Sequence, residues 1–404
     1  MVLACGLISG ILLARMLGAE DRGLLAAITY WPGFIIGIGA LGINEGIVLQ
    51  IASGDRAKAI VATALALALG LTLLVSAVAW VVLMLLVKNE EYLGSVQLYA
   101  CLFALISYVS LFLIAVEHGR MRFMELGVLR ALQAVVYPLA LFCVWGLGGL
   151  DVTTAMGAAL LGGVVVSLLL ICRLMPELSI RPSLTEMVAI LKKSVRLHAV
   201  NVLMSLSEQL DKMILVSLAS NDRIGHYVVA YTVAAAAPAV LVQTYANVML
   251  PMAARNGGSG YTNAALVKSL RMAFMLMVFA AIAVMSVIPW ALPFVFGLEY
   301  QESVAYAQVL VFALAIGGMR KCVLYLLRAR QVTVPSLWAE GATAMCLAIT
   351  GYLAYRQAGV VGLCWAVVIA QGLGLWVAWR GFQRHIGYAK PDSSVIPPSN
   401  GTVS

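Results

Sequence analysis

The residues with the most chemistry to offer lie along one stripe of an apolar segment. Asn201, Ser205, Glu208 and Lys212 recur every three or four positions within 198–219, so in a helix they share a face. Asp211 flanks that face at the middle of the segment. Glu208 precedes Lys212 by four positions, the favourable order for a helical ion pair. Asp211 is then the carboxylate with no local partner. An ionised side chain at mid-bilayer costs about 2.5–3.5 kcal/mol on insertion scales, so such groups face a partner or a wet cavity. Two readings are open. The stripe is either a buried ion cluster tying helices together, or the wall of a water-filled path in which Asp211 or Glu208 titrates or binds a cation.

A second concentration follows Gly317-Gly318 in the segment 303–327. Arg320 and Lys321 are adjacent, about 100° apart on a helix, so only one is expected to face a given cavity squarely. Lys321, Tyr325 and Arg328 form a stripe. These cations suit an anionic phosphate headgroup; the bland alternative is snorkelling to the membrane surface. Asn44 and Glu45 in the segment 24–52 stand at a depth comparable to Gln243 and Asn247 in 224–250. They line the inner mouth of a cavity or hydrogen-bond between helices. Glu340 is expected at the interface. Pro32 and Pro238 fall inside spans, where a lost hydrogen bond allows a kink.

The elements that must position these groups follow from composition. Of 404 residues, 63% are hydrophobic and 11% charged, against about 25% charged in soluble domains. Mean hydropathy is +0.98. A soluble fold of this size cannot hide so much apolar side chain, which excludes a soluble enzyme. The chain reads as an all-α polytopic membrane protein of about twelve helices. The expected spans are 1–17, 24–52, 58–87, 92–116, 126–147, 153–175, 198–219, 224–250, 265–291, 303–327, 335–355 and 359–379. The first is short before Arg15, so a start further upstream is expected. Residues 186–197, in the long loop 176–197, suit a surface amphipathic helix, and the Pro/Ser-rich tail from Lys390 suits disorder.

The net charge of +8 is explained by loops. Eighteen Lys and Arg fall in one alternating set of loops and five, including Arg15 and Arg22, in the other. The richer side is cytoplasmic, which puts both termini inside. No basic run with interleaved aromatics points to nucleic acid. The seven cysteines and four histidines lack metal-ligand or disulfide spacing. Gly37–Gly42 matches G-x-G-x-x-G, but it sits in an apolar run with no strand before it, so close helix packing explains it better than a dinucleotide. No P-loop, H-E-x-x-H or nucleophile elbow is present. No cofactor is expected, and no enzyme activity.

The halves echo each other. Ala19-Glu20-Asp21-Arg22-Gly23 joins the first two spans, and Ser220-Asn221-Asp222-Arg223-Ile224-Gly225 joins the seventh and eighth. Gly23 and Gly225 are 202 residues apart, half of 404. Six spans per half give a parallel repeat, with a site expected between the halves near mid-depth. The expected division is 1–175, a linker at 176–197, 198–379, and a tail at 380–404.

These residues resemble a family. The LLARMLGAEDRG connection into a helix carrying Tyr30, Trp31 and Pro32 is similar to the start of bacterial polysaccharide/oligosaccharide flippases. These belong to the multidrug/oligosaccharidyl-lipid/polysaccharide exporter superfamily. Leu210-Asp211-Lys212-Met213-Ile214-Leu215, then Gly225-His226-Tyr227 and Ala230, resembles its seventh-span pattern. Pro251 and Pro293-Phe294-Val295-Phe296-Gly297 also fit. The resemblance implies two six-helix bundles in a V. It implies export of a lipid-linked oligosaccharide, on an undecaprenyl pyrophosphate carrier, across the bacterial inner membrane by alternating access. A proton or sodium gradient would drive it, with Asp211, Glu208 and Glu45 as coupling groups. Lys212, Arg320, Lys321, Asn44, Gln243 and Asn247 would meet the substrate. Membrane lipid and polysaccharide polymerase or glycosyltransferase machinery are the implied partners. Two rivals remain: a cation-coupled multidrug antiporter of the same fold, whose cavity should be acidic or aromatic, and a membrane glycan polymerase or ligase, for which the outer loops are too small.

Overall fold

The computed structural model describes residues 2–52, 57–87, 90–177, 181–255, 263–330 and 332–387. Long apolar runs become helices because backbone groups in lipid must bond within their own segment. The helices are α1 (Val2–Gly39), α2 (Ile43–Ala52), α3 (Ala57–Leu86), α4 (Glu90–Gly119), α5 (Phe123–Gly146), α6 (Val152–Leu174), α7 (Leu184–Leu218), α8 (Asn221–Arg255), α9 (Asn263–Phe296), α10 (Ser303–Ala329) and α11 (Val334–Phe382). No strand occurs among the described residues. The tail from Lys390 and the loop cations Arg56 and Lys88 lie outside them.

Nine helical stretches are long and apolar enough to cross a membrane among the described residues. Two of these, Val2–Ile51 and Val334–His385, hold 50 and 52 residues, about 75 Å of straight helix against a hydrocarbon core of about 30 Å. Each bends at a glycine in the left-handed region: Gly18 at φ +76° and Gly359 at φ +60°. Only glycine takes this conformation without a Cβ penalty. Each therefore folds back as two rods. α7 is not among the nine, because its polar stripe dilutes its apolar character. With these rods counted, the chain accommodates the expected dozen.

α3 to α6 pack on one another, as do α8 to α11, with α1 touching both groups. Buried apolar clusters follow this division. One joins Ile36, Ile60, Phe112 and Val166; another joins Val242, Leu270, Leu327 and Phe382. A third bridges the groups, with Ala14 and Ala19 of α1 among residues of α8 to α11.

Two expectations need correction. Residues 186–197 do not form a separate surface helix; they are the first part of the 35-residue α7. There Ile190 and Ser194 are fully buried. A Cβ on Gly46 would lie 2.8 Å from the Ile190 carbonyl oxygen and would overlap the Ser194 hydroxyl. Lys193 donates to Gln50 at 2.6 Å, and Gln50 donates to Glu186 at 2.8 Å. One end of α7 is thus clamped to α2, while its other end runs with α11. The second correction concerns Glu20–Gly23, expected in a connecting loop. These residues already belong to the second rod of α1, with Glu20 and Asp21 exposed in its first turn, where the helix dipole favours acids. As for Gly37–Gly42, close packing holds at Gly39, whose added Cβ would lie 2.6 Å from the Tyr108 hydroxyl. Gly33 and Gly37 meet open space instead.

Candidate functional site

The middle of α7 opens onto a cavity of about 270 Å³. Ser207, Glu208 and Asp211 of α7 form one wall, Tyr231, Pro238 and Gln243 of α8 a second, and Arg320, Lys321 and Tyr325 of α10 a third. Gln371 of α11 completes it. Gly317 and Gly318 let α10 approach: a Cβ on Gly317 would lie 3.0 Å from Gln371 Oε1. Every lining residue lies in the second half, so this cavity is not at the junction between the halves, where a site was expected. It is reached by solvent, since the Glu208 and Lys321 side chains are 37% and 35% exposed.

The charges pair differently from the sequence reading. Glu208 does not pair with Lys212; its carboxylate meets Lys321 of α10 at 2.9 Å. Lys212 Nζ instead donates to the Glu208 backbone carbonyl at 3.0 Å and stands 3.5 Å from Asp211 Oδ1. It also lies 4.1 Å over the Tyr231 ring, a cation–π contact. Asp211 is not partnerless. The Tyr227 hydroxyl donates to its Oδ2 at 2.6 Å, and the residue is 4% exposed. A lone residue on a face was the wrong picture because the next helix supplies the partner.

Arg320 is fully buried rather than open to a headgroup. It forms a 2.5 Å ion pair with Glu340 and donates from Nε to Gln371 at 3.2 Å. Glu340, expected at the interface, is 1% exposed and also accepts from Ser207. Gly374 makes the room, since a Cβ there would lie 2.9 Å from Arg320 Cδ. Arg320 Nη2 is buried without a partner among the described residues. Both Arg320 and Lys321 line the cavity, although adjacent positions diverge on a helix.

Glu208, Asp211, Lys212, Arg320, Lys321 and Gln243 are therefore brought together. Asn247 is joined to the rim by a 3.0 Å hydrogen bond from Gln243. Asn44 and Glu45 are not brought there. They lie on α2 in the first half, where Glu45 Oε2 is buried without a partner. The side chain of Asn201 lies outside the described residues. Sequence reasoning missed Ser207, Tyr227, Tyr231 and Gln371. Gln371 carried a signal, being a lone amide inside the apolar run Val367–Leu373 that must find a partner in lipid.

The two halves close on each other at one end. A Cβ on Gly23 would overlap the Asn221 carbonyl and lie 2.7 Å from Gly225 N; a Cβ on Gly225 would overlap the Ala19 carbonyl. The glycines matched by the repeat thus meet backbone to backbone. Arg15 donates to the Val295 and Phe294 carbonyls at 2.7 and 2.5 Å, and Tyr30 donates to Gln209 O at 3.0 Å. At the other end α2 has no comparable packing on α8 among the described residues, and Gln243 and Asn247 are exposed.

The sequence model of a family described as polysaccharide biosynthesis protein matches residues 3–256. The chain belongs to this family. It is a multi-pass membrane protein. Its fold is shared by solved multidrug transporters and a lipid flippase. An inward-facing multidrug resistance MATE transporter superposes with a TM-score of 0.73 at 15% identity, covering 95% of this chain and 94% of that one. The lipid II flippase MurJ, in an inward closed conformation, gives 0.72 at 12% identity, covering 95% and 86%. A Pyrococcus furiosus transporter of the MOP superfamily, described as having a binding pocket of reverse polarity, gives 0.62 at 16% identity, covering 94% and 91%. No curated protein matches the chain by sequence.

Proposed function

We propose that the chain flips a lipid-linked oligosaccharide or polysaccharide repeat unit, carried on undecaprenyl pyrophosphate, across the bacterial inner membrane by alternating access. One observation carries this reading: the halves are sealed at the Gly23–Gly225 end, and among the described residues α2 does not pack on α8 in the same way at the other end. With the positive-inside assignment, the open end and both termini are cytoplasmic, the side on which such lipids are assembled. Lys321 stands half-exposed on the route inward. A pyrophosphate competes with Glu208 for it, while Gln243 and Asn247 offer hydrogen bonds to sugar hydroxyls. Asp211, held by Tyr227 and Lys212, is the coupling carboxylate, and a proton or sodium ion is its partner. Glu45 and Asn44 are the first half's contribution to the open mouth. Proteoliposomes with a lipid-linked oligosaccharide in the inner leaflet test the reading. Headgroup should appear outside, faster under an imposed proton or sodium gradient; no translocation under either gradient would refute it.

A second reading, a cation-coupled multidrug antiporter, is favoured by the acids and rings that Glu208, Asp211, Tyr231 and Tyr325 give the cavity, with Arg320 and Lys321 weighing against it. Efflux of cationic dyes with no glycan phenotype would select it.

A further inference from the structure

We infer that a second site, a half-enclosed pocket for a small inorganic anion of halide size centred on Arg22, lies mainly among helices of the first half. The pocket, about 210 Å³, lies toward the sealed end and is separate from the α7 cavity. Both rods of α1 line it, with α4, α5 and α6. Its polar lining is Arg22, Tyr99, Tyr137, Ser9, Thr29 and Thr232.

Arg22 was expected among loop cations in water. It points inward instead. Its Nε is buried and unpartnered, and no ion pair reaches its guanidinium among the described residues. Carboxylates that could neutralise it are placed elsewhere. Glu20 and Asp21 are exposed, and the Glu299 carboxylate sits beside Gly18, 3.6 Å from where its Cβ would be. No acid lines the pocket.

The hydroxyls sharpen the polarity. Ser9, Thr29 and Thr232 donate to carbonyls of their own helices, at 3.0 Å to Cys5, 2.6 Å to Leu25 and 2.7 Å to Val228. Tyr99 and Tyr137 make no such bond among the described residues. The free donors are therefore one guanidinium and two phenols. A half-buried cation without a counter-charge, beside unspent O–H donors, favours an anion. The volume suits a halide with a few waters. Thr232 comes from α8, so the pocket is walled by both halves and is complete while the sealed end is packed.

The test is thermal unfolding of the full chain in detergent, titrated with sodium chloride or bromide against sodium gluconate at equal ionic strength. Halide should raise the midpoint saturably in the parent and in Tyr30→Phe, and not in Arg22→Gln. The double variant Tyr99→Phe/Tyr137→Phe, which keeps the charge, should need about tenfold more halide. Crystals of the parent grown in bromide should show anomalous scattering among Arg22, Tyr99 and Tyr137. A halide response unchanged in Arg22→Gln, or bromide crystals with no peak in the pocket, would overturn the site. Neither readout depends on transport, so failure here leaves the proposed export activity standing.

Discussion

The two cavities handle charge in opposite ways. Around the α7 cavity acids and bases meet: Glu208 with Lys321, Asp211 with Lys212, and Glu340 with Arg320. In the Arg22 pocket no acid lines the wall and Arg22 Nε is buried without a partner, although elsewhere in the same half the buried Glu117 pairs with Arg120 and Arg122. Pairing fixes the relative positions of α7, α10 and α11, and lets an arriving ligand take over one partner of a pair. An unpaired charge fixes nothing and favours occupation by a counter-ion. The fold thus carries ion-paired, exchangeable groups in one cavity and an unpaired cation in the other.

The contact between the halves should give the largest effect. Gly225→Leu drives a side chain into the Ala19 carbonyl, so the sealed end cannot pack. Headgroup translocation should fall to background with insertion intact, and Gly23→Leu should match it by the repeat. Gly33→Ala, facing open space, should be silent. Normal transport by Gly225→Leu would remove the glycine contact from the transport cycle.

Next comes a direct contrast of the two cavities. Arg320→Met strands Glu340 in a dry setting, and breaking a buried pair from one side costs about 3–5 kcal/mol. Arg320→Met/Glu340→Leu should recover most of that loss. Arg22→Met strands no carboxylate, so at low halide its unfolding midpoint should stay near the parent's. Equal losses from Arg320→Met and Arg22→Met would erase the distinction drawn between paired and unpaired charge.

Asp211 and Tyr227 follow. Asp211→Asn should abolish gradient-driven acceleration of flipping while leaving passive exchange. Tyr227→Phe removes one hydrogen bond to a charged group, worth about 1.5–3 kcal/mol, and should shift the pH dependence of transport without abolishing it. Lys321→Ala should weaken substrate competition about tenfold, equal to about 1.4 kcal/mol. Transport by Asp211→Asn that still accelerates under a gradient would remove that carboxylate from coupling.

How much of this was legible in the chain depends on what each feature is made of. Membrane spans are long apolar runs, so they were readable, as was the matching of Gly23 with Gly225. Lone polar residues in α7 and α10 flagged the cavity. Partner choice was not readable, because Lys321 reaches Glu208 from another helix, and Glu340 reaches Arg320 from α11. Arg22 misled for a local reason. A run of Glu, Asp and Arg after Gly18 reads as a hydrated loop, yet the bend at Gly18 completes the turn in one residue. Helix resumes at once, and the third charged residue of the run swings inward while the two acids stay exposed.

The smallest expected effect lies at the start of α6, a helix that also lines the Arg22 pocket, and tests whether an ordinary cap there behaves independently of that pocket. Asp151 precedes the helix and accepts from Thr154 N at 2.7 Å, while its own backbone N–H donates to Thr154 Oγ1 at 2.9 Å. The Thr154 hydroxyl, followed by the backbone and Thr153 hydrogen bonds, holds its carboxyl below the usual carboxylate range despite slight desolvation. A lowered folded-state pKa means the stabilisation is fully present above the unfolded value of about 3.9 and is lost as pH falls through the folded value. Asp151→Ala should therefore cost about 0.5–1 kcal/mol, the lower part of the capping range because the site is open to solvent. The midpoint difference from the parent should be constant from neutral pH down to about 4 and shrink below it. Asp151→Asn, which caps without titrating, should diverge from the parent at neutral pH and converge with it in acid. A difference between parent and Asp151→Ala that stays flat through the acid range would mean that the carboxylate charge contributes nothing to the cap.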